Sequence, residues 1–108
     1  MPDDILGPLE YQLLSTLLEQ PHDAYGITIM DRIEQRTGRK RTLAAIYATL
    51  DRLHQKGFVS SWWGEPSAER GGRRKRLYKI EASGVAAVRR TERAYLPIGG
   101  AAPVGIGG

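Results

Sequence analysis

The sequence contains no cysteine and only two histidines, and each scarcity excludes a kind of chemistry. Without cysteine the chain cannot form disulfides, thiol nucleophiles or cysteine-ligated zinc sites, and this composition fits a reducing compartment. His22 and His54 lie in separate segments without HExxH-type spacing, so we predict no metal site and no cofactor. Neither a nucleophile paired with a base nor a glycine-rich phosphate loop can be identified, so we do not expect an enzyme.

Long apolar runs are also missing. No run approaches the roughly 20 residues that a membrane helix requires. The first residues, MPDDILG, carry acids where a secretory signal carries Lys or Arg. We therefore expect a cytoplasmic protein without membrane contact. A length of 108 residues predicts one small domain.

Positive charge is concentrated in two places, although the net charge is only +4. One cluster runs from Arg39 to Arg41, and the other begins at Arg70 and continues through RRKR to Lys79. Such segregation favours a surface for a polyanion. A charged run is more often a solvated surface than a binding site, so the position of the clusters in the fold has to distinguish these two possibilities.

The first half of the chain shows the periodicity of three helices. Apolar residues recur at three-to-four spacing, and Pro8 suits a first helical turn because its missing N–H costs nothing there. Ser, Thr, Asp and Gly at the ends of these segments are typical helix caps. The predicted helices cover Gly7–Gln20, a segment with Asp23 as N-cap and Gly38 as its end, and residues 43–56 with Thr42 as N-cap.

The pattern changes after Gly57. The β-branched and aromatic stretch FVSSWW, a loop rich in Gly and Pro, and RRKRLYKI together predict a hairpin with a long loop. A fourth helix is predicted from Ala82 to about Tyr95, with Val85 and Val88 on the same side as Tyr95. The remaining sequence is rich in Gly and Pro and is expected to be a flexible tail.

Three helices, a hairpin and a final helix are the plan of a winged helix-turn-helix, an α+β fold that is mainly α. In this plan the second helix of the helix-turn-helix pair enters the DNA major groove. One basic cluster then lies in the turn before that helix and the other on the wing, where both are expected to face DNA. This coincidence favours binding over a merely solvated surface.

Several segments occur in the order and spacing of a known family. The segments are LGPLEYQLLSTL at 6–17, AYGITIMDRIEQRTG at 24–38, TLAAIYATLDRLHQKGFV at 42–59, SSWW at 60–63 and GRRKRLYKIEASG at 72–84. On these residues the chain resembles the PadR family of bacterial and archaeal transcriptional regulators up to about Leu96. It departs from the family pattern at Ala45 and Ala48, where Thr and Pro are usual, and at Leu77 and Glu81, where Tyr and Thr are usual.

The resemblance implies an operator-binding repressor that acts as a homodimer and, in many members, responds to a small molecule. The chain is similar to the shorter subgroup with one C-terminal helix. We therefore expect a DNA-binding domain at 1–81, a dimerisation helix at 82–96 and a flexible tail at 97–108. The expected dimer contacts are Leu6, Leu9, Leu13, Val85, Val88 and Tyr95.

The third helix is expected to read few bases directly. Its outward face carries Ala44, Ala45 and Ala48, which can contact thymine methyl groups but cannot hydrogen-bond to base edges. Phosphate neutralisation by the basic turn and wing should supply most of the affinity. Core packing is the alternative for Tyr47, and a surface ion pair with the preceding aspartate is the alternative for Arg52. The expected DNA contacts are Arg39, Lys40, Arg41, Thr42, Ala45, Tyr47, Thr49, Arg52, Arg70, Arg73, Arg74, Lys75 and Arg76.

Trp62 and Trp63 are adjacent, so on a strand they point to opposite faces and only one can join the core. We expect Trp63 to pack and Trp62 to be exposed, and a small-molecule effector that stacks on either is a further hypothesis. The competing function is a winged helix that binds RNA or a protein, because the fold does not dictate its use. The basic turn and wing argue against a purely protein partner.

Overall fold

The computed structural model describes residues 5–66 and 74–95, which form four helices and one antiparallel hairpin. The elements follow one another in the predicted order, so the winged helix-turn-helix architecture is confirmed. The predicted tail at 97–108 and the predicted DNA contacts Arg70 and Arg73 lie outside the described residues. The elements are α1, Pro8–Glu19; α2, Gly26–Thr37; α3, Leu43–Gln55; β1, Val59–Trp63; β2, Arg76–Ile80; and α4, Ala82–Ala94.

The start of α2 differs from the prediction. Asp23 has a φ of 57°, in the left-handed region, and lies two residues before the actual N-cap, Tyr25. The turn is organised by Thr28, whose Oγ1 accepts a hydrogen bond from the Tyr25 N–H (3.0 Å) and donates one to the Asp23 carbonyl (2.6 Å). The predicted Asp23 cap is therefore wrong, and α2 begins at Gly26.

The turn between α2 and α3 follows the prediction. α2 ends at Thr37, and its C-cap is Gly38, whose φ of 71° lies in the left-handed region that favours glycine. Thr42 is the N-cap of α3, and its Oγ1 accepts a hydrogen bond from the Ala45 N–H at 3.1 Å. A short connection between two capped helix ends fixes the direction in which α3 leaves α2.

The core lies between the first three helices and extends to the hairpin and α4. Each helix contributes one apolar stripe, as its amphipathic pattern requires. Val59 and Tyr78 continue the core onto the hairpin. The buried side chains of the helices include Leu13, Leu14 and Leu17 of α1, Ile29 and Ile33 of α2, Ile46, Leu50 and Leu53 of α3, and Ala87 and Val88 of α4.

A hydrogen bond outside the strand ladder ties the hairpin to the helices. β1 and β2 pair in antiparallel register with Trp62 opposite Leu77. The Tyr78 N–H on β2 donates to the carbonyl of Ala24, in the connection between α1 and α2, at 2.9 Å. The base of the wing is therefore attached to the helical part of the fold through the backbone.

α4 packs on α1 and shares its core. The buried Oγ1 of Thr91 accepts a hydrogen bond from the Leu6 N–H at 3.1 Å. Nearby, the Tyr11 hydroxyl donates to Glu92 Oε2 at 2.8 Å. Within the described ranges, no helix has both the length and the apolar character needed to cross a membrane.

This packing corrects half of the predicted dimer contacts. Leu6, Leu13 and Val88 are buried in the core of the single chain, so their side chains cannot also form a surface for a second copy. Leu9 and Val85 are half-buried. Tyr95 is 69% exposed. Any contact with a second copy through these six residues would therefore involve Leu9, Val85 and Tyr95.

Candidate nucleic-acid interface

The turn between α2 and α3 presents two of its three basic side chains to solvent. Arg39 and Lys40 are exposed, so both can approach an anion without rearrangement of the fold. Arg41 is half-buried, and its Nε is buried without a hydrogen-bond partner among the described residues. Arg41 is therefore held partly against protein, unlike its two neighbours.

The outward face of α3 carries small apolar side chains at Ala44 and Ala48. Ala44 and Ala48 are exposed, whereas Ala45 is half-buried and donates its N–H to Thr42. Methyl groups at these positions can contact thymine methyls but provide no donor or acceptor for a base edge. The side-chain oxygen of Thr42 is already used by the helix cap, although the residue itself is exposed.

Tyr47 is the exposed aromatic residue of α3, and its ring lies across the first turn of α2. The residue is 42% exposed. A Cβ atom at position 26 would lie 2.5 Å from Tyr47 Oη and 2.6 Å from Cζ, so the ring rests directly on Gly26. Tyr47 thus packs against protein on one side and remains accessible on the other, so its contact with DNA stays a prediction.

Thr49 and Arg52 do not have the predicted environment. Thr49 is only 1% exposed and donates its hydroxyl to the Ala45 carbonyl at 2.8 Å, so the prediction that it reaches DNA is wrong. Arg52 is exposed, with Nε 3.9 Å from Glu10 Oε2 and Nη2 3.3 Å from Thr49 Oγ1. The expected alternative of an ion pair is correct, but the partner is Glu10 of α1 and not the preceding aspartate.

Glu10 joins α1 to the end of α3. Its carboxylate accepts hydrogen bonds from the Gly7 N–H (3.0 Å) and from Lys56 Nζ (3.1 Å). Burial alone would raise the pKa of Glu10, but the Gly7 N–H, Lys56 and Arg52 outweigh it and leave the pKa lowered. Glu10 therefore partly neutralises the basic end of α3, whereas Arg39 and Lys40 have no ion pair with any residue of 5–66 or 74–95.

The two residues just before β2 are cations with different environments. Arg74 is exposed. Lys75 is half-buried, and its Nζ lies 4.5 Å from the centroid of the Tyr25 ring, within the range of a cation–π contact. Because Tyr25 is the N-cap of α2, Lys75 brings the wing against the same helix end that Tyr47 covers.

Arg76 and the two tryptophans occupy the outer half of the hairpin. Arg76 donates from Nε and Nη2 to Ser61 Oγ at 3.2 and 2.9 Å, and its guanidinium lies 5.2 Å from the Trp63 ring. Arg76 is therefore bound to the hairpin itself. Trp62 is 45% and Trp63 is 56% exposed, so the prediction that Trp63 packs in the core is wrong. The core ends before the hairpin reaches that residue.

Two participants in this surface were not predicted as such. Tyr25 caps the second helix and contacts Lys75. Gly26 had no assigned role. The available signal is a glycine at a helix start, which suggests close approach of another group. Its partner Tyr47 is distant in sequence, so spacing alone cannot identify it.

Comparison with known proteins gives two matches in sequence. Residues 13–90 match the family described as "Transcriptional regulator PadR-like family". Over 86 residues, the chain is 35% identical to an uncharacterized protein of Lysinibacillus sphaericus, an alignment that covers 78% of this chain and 74% of that protein. The family match extends from α1 into α4 and so includes α2, the basic turn, α3 and both strands of the hairpin.

Solved structures share the fold at low sequence identity. A transcriptional regulator from Clostridium thermocellum has a TM-score of 0.68 and 24% identity, with coverage of 81% of each chain. A PadR family transcription regulator from Clostridium difficile has a TM-score of 0.67 and 22% identity, covering 82% of this chain and 88% of that one. Bacillus subtilis PadR in complex with operator DNA has a TM-score of 0.68 and 21% identity, over 83% of this chain and 50% of that one.

Proposed function

Because the chain belongs to the PadR-like family of transcriptional regulators, we propose that it is a repressor that binds a palindromic DNA operator as a homodimer. One observation carries this proposal: α3, the wing and the basic turn all border α2. Tyr47 covers its first turn, Lys75 stacks on its N-cap, and the exposed Arg39 and Lys40 follow its last turn. A winged helix uses these same three elements against duplex DNA.

Phosphate contacts are proposed to supply most of the affinity. Arg39, Lys40 and Arg74 are exposed cations, and neutralising phosphates with such groups releases counterions. Ala44 and Ala48 give α3 a face without hydrogen-bonding side chains at these positions. Sequence preference should therefore depend on DNA shape and thymine methyl groups more than on hydrogen bonds from this face.

The homodimer is proposed to form through the outer surfaces of α1 and α4. Leu9 and Val85 are half-buried and Tyr95 is exposed, so each retains apolar area that the protomer does not use. A symmetric pair of recognition helices requires half-sites about one helical turn apart. Sedimentation at micromolar concentration tests this part, and a monomer there would contradict it.

We also propose that a small molecule binds to the two tryptophans of the hairpin and releases the protein from DNA. Trp62 and Trp63 are both substantially exposed and can stack on a planar compound. Quenching of indole fluorescence by planar aromatic compounds, lost in Trp62→Ala or Trp63→Ala, is the expected result. Compounds that quench without weakening DNA binding would speak against an effector role.

The DNA-binding proposal is tested by titration of a mixed-sequence duplex in rising salt. Each phosphate contact contributes about 0.9 to the slope of log K against log salt, so Arg39→Ala/Lys40→Ala should reduce the slope by about 2. The control, Lys56→Ala, removes a cation that is already paired with Glu10 at 3.1 Å and should leave the slope unchanged. Equal slopes for wild type and the first variant would contradict the proposal.

Competition separates duplex DNA from the other partners of a winged helix. An inverted repeat with half-sites about one helical turn apart should displace a labelled duplex better than scrambled DNA or RNA of equal length. Preference for RNA, or no binding to either nucleic acid at low salt, would favour the competing function.

A further inference from the structure

The contact between α2 and α3 depends on the absence of a side chain at Gly26. This residue is buried and begins α2, and its φ is not positive, so no left-handed backbone conformation requires glycine there. The requirement is one of space. A Cβ at this position would lie 2.5 Å from Oη, 2.6 Å from Cζ and 3.0 Å from Cε1 of Tyr47, and Cβ atoms do not approach other heavy atoms so closely.

The three atoms that a Cβ at position 26 would meet most closely all belong to the Tyr47 side chain. Gly84 on α4 gives a useful contrast, because a Cβ there would collide with the backbone carbonyl oxygen of Phe58. Backbone can move only at the expense of the fold, whereas a partly exposed aromatic ring can turn away. A side chain at position 26 should therefore displace the ring more than it disturbs the packing of α2 and α3.

The surroundings of Tyr47 indicate where the ring can go. On one side it lies against Gly26, and the residue is 42% exposed. A ring displaced by a side chain at position 26 can therefore move toward its exposed side, into the surface proposed to meet DNA.

We infer that Gly26 is a positioning residue for DNA binding, which holds the Tyr47 hydroxyl against the first turn of α2 so that it can donate to a backbone phosphate. This inference rests on the proposed function. The ring is supported on one side and 42% exposed, so its hydroxyl is ordered before DNA arrives. An ordered donor forms its hydrogen bond without the entropy cost of fixing a free side chain.

The test is a double-mutant cycle of Gly26→Ala and Tyr47→Ala, read out by affinity for the mixed-sequence duplex and by Tm. Gly26→Ala should weaken DNA binding on the order of tenfold, the effect of losing one charge-assisted hydrogen bond. Tyr47→Ala should weaken it similarly. In the Tyr47→Ala background, Gly26→Ala should have no further effect on affinity, because the added methyl then has room.

Two further measurements separate positioning from a general loss of stability. Gly57→Ala introduces strain at a φ of 79° with open space around its Cβ, so it should lower Tm but leave DNA affinity unchanged. Spectra of protein with isotope-labelled tyrosine should show the Tyr47 ring signals shifted in Gly26→Ala and unshifted in Gly57→Ala.

The outcomes distinguish this inference from the proposed function. Independent, additive effects of the two substitutions on affinity would overturn the inference, and so would wild-type affinity in Tyr47→Ala. In either case the proposed function would stand if Arg39→Ala/Lys40→Ala still reduced the salt slope. A wild-type protein that binds no duplex DNA at low salt would overturn both.

Discussion

Gly84→Ala is a substitution for which helix propensity and packing predict opposite signs. Gly84 lies in the first turn of α4. The side of the helix on which its side chain would lie faces the base of the hairpin. A methyl group there would collide with the Phe58 carbonyl oxygen and lie 2.8 Å from Ile80 Cγ1. The carbonyl cannot easily yield, because it already accepts the Glu81 N–H at 2.8 Å.

The magnitude follows from two opposing contributions. Overpacking costs about 1 to 3 kcal/mol, and the upper value applies here because the blocking atom is a hydrogen-bonded backbone oxygen. Alanine is preferred to glycine inside a helix by about 1 kcal/mol, which offsets part of the cost. The net loss is about 2 kcal/mol, which lowers the Tm of a domain of this size by about 8 °C.

Thermal unfolding followed by circular dichroism measures this loss. Ala86→Gly is the matched control, because Ala86 is exposed on the same helix and its substitution reports helix propensity alone, with an expected cost of about 1 kcal/mol. A Tm for Gly84→Ala equal to or above that of wild type would refute the reasoning, since it would mean that α4 can move away from the hairpin freely.

Three further substitutions test the contacts that join the helices. Thr91→Val should cost about 1 to 3 kcal/mol in chemical denaturation because it leaves the buried Leu6 N–H without its acceptor, whereas Thr91→Ser should cost less; equal losses would contradict this. Glu10 has a lowered pKa in the fold, so its stabilising effect is present above its unfolded pKa and lost as pH falls through its folded value. Glu10→Gln should accordingly flatten the acid side of a plot of Tm against pH, and an unchanged acid side would argue against a role for the Lys56 ion pair. Thr42→Ala should cost about 1 kcal/mol by removal of the α3 cap, while Thr42→Ser should retain stability near that of wild type.

Local signals allowed most of the fold to be predicted from the sequence. Gly38 and Thr42 end and begin helices through bonds to residues a few positions away, so their roles are visible in the nearby sequence. The start of α2 was not predictable in the same way. Asp23 is a common cap residue, but here the Thr28 hydroxyl bonds to its carbonyl and the left-handed turn moves the helix start to Gly26.

The candidate site was predictable in its charges but not in its contacts. Arg39 and Lys40 are exposed, as a run of basic residues in a turn suggests. Thr49 lies beside the apolar stripe of α3, where helical periodicity does not distinguish a buried hydroxyl from an exposed one. The partner of Arg52 is Glu10, which belongs to another helix and is visible only after α1 and α3 are packed.

The bond from Tyr78 to Ala24 gives a two-stranded hairpin one property of a larger sheet. At Tyr78, β2 has a backbone partner on both edges, β1 on one side and the Ala24 carbonyl on the other. The amide hydrogen of Tyr78 should therefore exchange with solvent no faster than the core opens. A phosphate bound to the wing would therefore meet a hairpin whose base is held to the connection between α1 and α2.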